Sequence, residues 1–199
     1  MTHRLIIQIV VTALFCLLPL AALAGTVQIP QTGQTTCYDS SGNVIACTGT
    51  GQDGAIQAGT AWPSPRFTDN SNGTVTDNLT GLIWLKNANC FGSQIWSTAV
   101  ASANSLASGQ CGLTDGSTAG QWRLPNMLEL RSLVNEQQSS LDGWLNTQGF
   151  LGVQAYYYWS SSTFAFSAGS AWVVGMDYGG VSRGYKADVY YVWPVRSGQ

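Results

Sequence analysis

Four cysteines constrain this chain more than any other feature. Cys37, Cys47, Cys90 and Cys111 stand in two spaced pairs, and no Cys-x-x-Cys occurs among them. A fifth, Cys16, sits inside an apolar N-terminal run that reads as a secretory leader. In that run Arg4 supplies the positive start, Leu5 to Leu20 carry no charge, and Ala22-Leu23-Ala24 makes a small-residue cleavage site. Residues 1–24 are therefore expected to be removed. Cleavage takes away Cys16 and also His3, the only histidine. The remaining four cysteines then fold in an oxidising compartment, where an even count reads as disulfides.

Four cysteines allow three connectivities, and local signals favour one. Ser41-Gly42-Asn43 is a turn signal between Cys37 and Cys47, so a hairpin brings those two together. Cys90 and Cys111 flank one amphipathic helix and its return. Each bridge is expected to contribute about 3 kcal/mol in the chain-entropy model.

Composition narrows the class of function. The formal net charge is −2 and no basic stripe is present, which argues against nucleic acid. Past the leader no apolar run is long enough to span a bilayer, so no membrane contact is expected after cleavage. Without a mature histidine, Ser-His-Asp, Cys-His and the common zinc sites are all out of reach. No pair of carboxylates is singled out for hydrolysis, and a bridged cysteine is not a nucleophile. The expectation is a non-catalytic protein without a cofactor. One metal reading stands beside it. Asp69, Asn70, Asn72 and Asp77 space their oxygens as a calcium loop does, but no Glu completes the pattern and a hairpin turn explains them as well.

Along the chain, residues 25–61 read as an extended arm carrying the first bridge, and residues 62–199 as the main domain. Residues 66–86 read as three strands, with Asn72-Gly73 as a hairpin signal. Trp96, Ala99, Val100, Ala103 and Leu106 recur at helical spacing over 94–108. Asn126 with Glu129 forms a capping box for a second helix over 126–135. From Tyr156 the pattern is β, with strands expected over 156–161, 171–177, 181–186 and 189–196. Two helices followed by a Gly-turned antiparallel sheet argue α+β.

The same C-terminal stretch holds seven of the eight tyrosines and three tryptophans. Neighbours alternate across a strand, so Tyr156-Tyr157-Tyr158-Trp159 cannot all face inward. Some aromatic surface should be exposed or cover a partner. Trp159, Trp172 and Tyr178 with Tyr185 are the candidate stacking residues, and Asp177, Arg183 and Lys186 the candidate polar contacts. An oligomer interface is the competing use of the same surface.

Three groups of residues, in this order, resemble the Lcl C-terminal domain family. They are Phe67-Thr68-Asp69 through Gly81-Leu82-Ile83-Trp84, then Trp122-Arg123-Leu124-Pro125-Asn126 with Glu129-Leu130, then Tyr158-Trp159-Ser160-Ser161-Ser162 and Val195-Arg196. The family is the adhesive domain at the end of a collagen-like bacterial surface protein, although this chain carries no collagen-like repeat. The resemblance implies a C-type-lectin-like mixed domain with two helices on a twisted antiparallel sheet. It further implies an adhesin-like role at the periplasm, cell surface or outside, with a polysaccharide or surface protein as partner. The alternative is a structural subunit of an envelope assembly, its aromatics buried against a partner.

Overall fold

A computed structural model describes residues 29–198. The expected leader, 1–24, lies outside the described residues. The arm begins with a two-stranded hairpin, β1 (Cys37–Tyr38) and β2 (Val44–Ile45). Asp39 organises its turn by accepting from the Ser41 and Asn43 amides, both at 2.9 Å. A single helical turn, α1 (Asp53–Ile56), follows. The arm is seated on the main domain through polar contacts. Gln137 Oε1 accepts from the Thr35 and Thr36 amides, and the Glu136 amide donates to the Thr32 carbonyl at 3.0 Å.

The main domain opens with the expected three strands, β3 (Phe67–Asp69), β4 (Thr74–Asp77) and β5 (Leu82–Leu85). They form an antiparallel meander. The turn between β3 and β4 needs Gly73. Its φ is +84°, and a Cβ there would stand 2.4 Å from the Gly112 carbonyl oxygen. Asp77 ends β4 pointing inward. It pairs with the buried Arg66 at 3.3 Å, and Trp62 covers that guanidinium at 4.0 Å.

Four short elements then precede the strands of the second meander. β6 (Ser93–Ile95) runs directly into α2 (Trp96–Ser105), which presents Ala99 and Ala103 to the core. Small residues four apart let this helix lie close on the strands beneath. α3 (Met127–Ser132) starts at the predicted capping box. Asn126 Oδ1 accepts from the Glu129 amide at 2.9 Å, and Glu129 Oε2 accepts from the Asn126 amide at 2.7 Å. Arg123 holds the same carboxylate with two bonds of 2.7 Å. α4 (Leu141–Thr147), capped by Ser140, buries Leu141 and Leu145.

β7 (Tyr157–Thr163), β8 (Ser170–Gly175) and β9 (Val181–Tyr185) form a second antiparallel meander. β10 (Val189–Tyr191) then pairs with β6, and β11 (Val195–Ser197) crosses to β5. The sheet orders are β6-β10-β7-β8-β9 and β11-β5-β4-β3. Between them sits an aromatic core of Trp84, Phe150, Tyr158 and Trp193, with ring centroids 5.0–5.5 Å apart about Trp193. Trp193 spends its indole N–H on the Leu85 carbonyl at 2.8 Å. No helix among the described residues is long and apolar enough to cross a membrane.

The mixed α+β class and both disulfides match the sequence expectation. The details differ in four places. Four helices, not two, occur among the described residues; α4 contains the poor helix former Gly143, and its sequence carries only two core positions. The described residues form three sheets, and β10 meets β7 in parallel at Tyr191–Tyr158. The helix expected from residue 94 starts at Trp96, because Ser93–Ile95 pair with β10 instead. The strand expected over 189–196 is two strands in two sheets. Pro194, which lacks an amide donor, stands at the crossover, where its carbonyl accepts from the Leu85 amide.

Candidate ligand-binding surface

Pairing between β8 and β9 decides which side chains share a face. Trp172 lies opposite Arg183, and Ser170 opposite Tyr185. Trp172, Arg183 and Tyr185 therefore project on one side, while Ala171, Val173 and Gly184 project on the other, where α2 covers Ala171 and Val173. On the open side the loop after β7 adds Phe164 and Phe166. Phe164 meets Trp172 edge-to-face at 5.0 Å and Phe166 at 6.1 Å. The Arg183 guanidinium sits 5.7 Å from the Phe164 ring and 5.6 Å from the Tyr185 ring. Phe166 is 93% exposed and Tyr185 is 59% exposed. The result is a continuous aromatic strip with one cation in it. That cation has no carboxylate within ion-pair reach among the described residues.

Three of the seven residues singled out from sequence, Trp172, Arg183 and Tyr185, thus come together. The other four do not join them. Trp159 is fully buried and donates its indole N–H to the Gln94 carbonyl at 2.8 Å, so its candidacy as a stacking residue is corrected: it is core. Lys186 turns away to Thr163 Oγ1 at 2.9 Å and lies 4.1 Å over Trp96. Asp177 and Tyr178 occupy the far turn of the β8–β9 hairpin, beside a separate tyrosine group. There Tyr156 stands 5.6 Å from Tyr157 and 6.0 Å from Tyr190. A hydrogen bond with Tyr178, burial, and the charge of Asp177 together hold the Tyr157 phenol above its usual range. Phe164 and Phe166 were missed. The signal was available, as a Phe-x-Phe in a Ser-flanked loop with no apolar periodicity to absorb it.

The calcium reading is corrected at Asp77, which is fully buried. Its oxygens serve Arg66, the Leu79 amide and the Thr80 hydroxyl. Asp69 is held by Lys86 at 2.6 Å and by the Ser71 amide, and Asn72 accepts from the Thr74 amide and hydroxyl. Asn70 donates to the Thr74 and Thr76 hydroxyls. These are the bonds of a hairpin turn. No cluster of three or more metal-ligating side chains occurs among the described residues.

Two concavities lie away from the strip. An open groove of about 660 Å³ runs past Asp69, Lys86, Asn87 and Leu151, with its Lys86–Asp69 pair already made. A more apolar cleft of about 500 Å³ lies between Pro30 of the arm, Trp62, Leu128 of α3 and Val134 just beyond that helix. Neither contains a residue of the aromatic strip.

The decisive comparison is with protein families. The model of the Lcl C-terminal domain matches residues 73–196. The chain belongs to the Lcl C-terminal domain family. The match covers β4 to β11, hence the whole five-stranded sheet and all of the four-stranded one but β3, and so spans the aromatic strip. A search of curated proteins gives no match to this chain. Within this Lcl domain, Trp122, Trp159, Trp193 and Leu130 are core.

Proposed function

We propose that this chain is a non-catalytic, exported, adhesin-like binding module on a C-type-lectin-like frame, and that the strip of Phe164, Phe166, Trp172, Arg183 and Tyr185 is its ligand contact. One observation carries the reading. A guanidinium with no carboxylate partner among the described residues stands beside the half-buried Phe164 ring and the exposed Tyr185 ring. Aromatic faces stack on the apolar faces of sugar rings, and they are equally the anchors of protein interfaces. Arg183 adds up to five donors in a fixed fork for carboxylate, sulfate or hydroxyl oxygens. Two disulfides within bonding distance fit a compartment outside the reducing cytosol.

A surface protein is the second ligand class, and the apolar Phe164–Phe166 pair favours it over a purely polar sugar surface. The reading is tested on the mature chain with a polysaccharide array and a cell-surface binding assay, run in parallel with Trp172→Ala combined with Tyr185→Ala. Loss of at least tenfold in affinity with an unchanged unfolding transition supports the placement. Unchanged affinity removes the strip from the function.

A further inference from the structure

The strip ends on an unpaired strand edge. In the five-stranded sheet β9 is terminal, and its ladder partner is β8 alone. The parity of that ladder is fixed by its flanking bonds. The Gly175 amide donates to the Gly180 carbonyl, and the Lys186 amide to the Gly169 carbonyl, both at 2.8 Å. Within β9 the groups that bond β8 therefore belong to Ser182 and Gly184. The amides and carbonyls of Val181 and Arg183, and the amide of Tyr185, point away from the sheet. The Tyr185 carbonyl is used by the Asp188 amide at 2.8 Å. The side chains of those same three residues, Val181, Arg183 and Tyr185, are exposed on the strip's face.

Native edges are commonly blunted by proline, a bulge, inward charge or a covering loop. β9 carries none of the first three, and its pairing with β8 is regular from Val181 to Tyr185. An edge of this kind accepts an extended segment as a further strand, with backbone bonds giving affinity and alternate side chains giving selectivity.

Charge decides the occupant. An antiparallel pairing of β9 with a second copy that used the whole strand would set Arg183 against Arg183, and directly opposed like charges destabilise a pair. A segment with Asp or Glu at the opposed position instead supplies the carboxylate that Arg183 lacks. Resting on the reading above, we infer that the partner is a protein presenting an extended, acidic, alternating segment that adds as a strand to the β9 edge, with its outward side chains on Trp172 and Tyr185.

The test selects random dodecapeptides displayed on phage against the mature chain, then measures the enriched peptides as free synthetic probes. The expected sequences alternate polar and apolar residues and carry a central Asp or Glu. Three changes should each weaken them by at least tenfold: N-methylation of alternate peptide amides, Arg183→Glu, and Val181→Pro. Val181→Pro removes an outward amide only, leaving the β8 ladder and every strip side chain in place; its fold is checked by circular dichroism. Should that variant misfold, amide exchange on the unaltered chain decides, by protection of Val181, Arg183 and Tyr185 when peptide is bound. No enrichment, or peptides that ignore both the N-methyl groups and Val181→Pro, overturns strand addition. Peptide binding unchanged in Val181→Pro, together with loss of polysaccharide binding in the Trp172 and Tyr185 double variant, would leave the binding module standing while strand addition falls. Loss of no ligand in that double variant would remove the module's placement itself.

Discussion

Two sets of aromatic rings in this domain are built from the same residue types and are put to opposite uses. Around Trp193 the rings are sealed, and the polar atom of the indole is satisfied by a backbone carbonyl. Trp159 and Trp122 repeat that arrangement, donating to the Gln94 carbonyl and the Ser117 hydroxyl. Around Trp172 the rings are open, and its indole N–H has no partner among the described residues. The difference lies in position on the pleat. Residues that face α2 or the second sheet are core. Those past the reach of either layer, at the β8–β9 end and its loop, are left to meet something else. Buried aromatics therefore hold the domain, and the open ones are free to vary without cost to it.

That contrast can be broken or sharpened by substitution. Trp193→Ala should lose about 3–5 kcal/mol in urea denaturation, as expected for truncating a sealed aromatic. A loss under about 1 kcal/mol would erase the distinction between the two sets. Replacing Cys90 and Cys111 together with Ser should lower stability by about 3 kcal/mol, because the bridge ties the β5–α2 connection to the loop beneath the core. Gly184→Ala should cost roughly 1–3 kcal/mol. Its Cβ would stand 2.2 Å from Cε2 of Tyr190, which lies over Trp159 at 4.7 Å on the covered face. Asn126→Ala should cost about 1 kcal/mol by removing the cap of α3. Trp172→Ala should change stability by about 0.5 kcal/mol or less, with its effect appearing in ligand affinity alone.

Acid offers a related check on the capping box. Burial raises the Glu129 pKa, but the Arg123 fork and the Asn126 amide outweigh it and hold the carboxyl below its ordinary value. The folded pKa is depressed, so this contribution is present above the unfolded value near ~4.3 and is lost as pH falls through the folded one. Unfolding followed from pH 6 to 3 should show a steeper acid loss in the native chain than in Glu129→Gln.

Much of this was legible in the sequence where local chemistry decides. The Asn-Gly turn, the Asn126–Glu129 box and both cysteine pairs are short-range devices, and each sits where it was expected. What the sequence hid were choices made at long range. Val189 to Arg196 reads as one strand, and only the competition of two sheets for it reveals the break at Pro194. Tyr158 and Trp159 point to opposite faces of β7 yet both are fully buried, because each face of that strand is covered, one of them beside β10. For the candidate site, Trp172, Arg183 and Tyr185 were readable by strand parity, whereas Trp159, one face over, was not separable from them without the layer above it.

The crossover at Pro194 bears on how the chain reaches its native state. β10 closes one sheet on β6 and β11 closes the other on β5, each across roughly a hundred residues of intervening chain. Both closures wait for the same last stretch of polypeptide. A chain emerging in order would keep Trp84 and Trp159 without their final cover until that stretch arrived. Folding should then be slow for its size and all-or-none, with the two sheets locking in a single event.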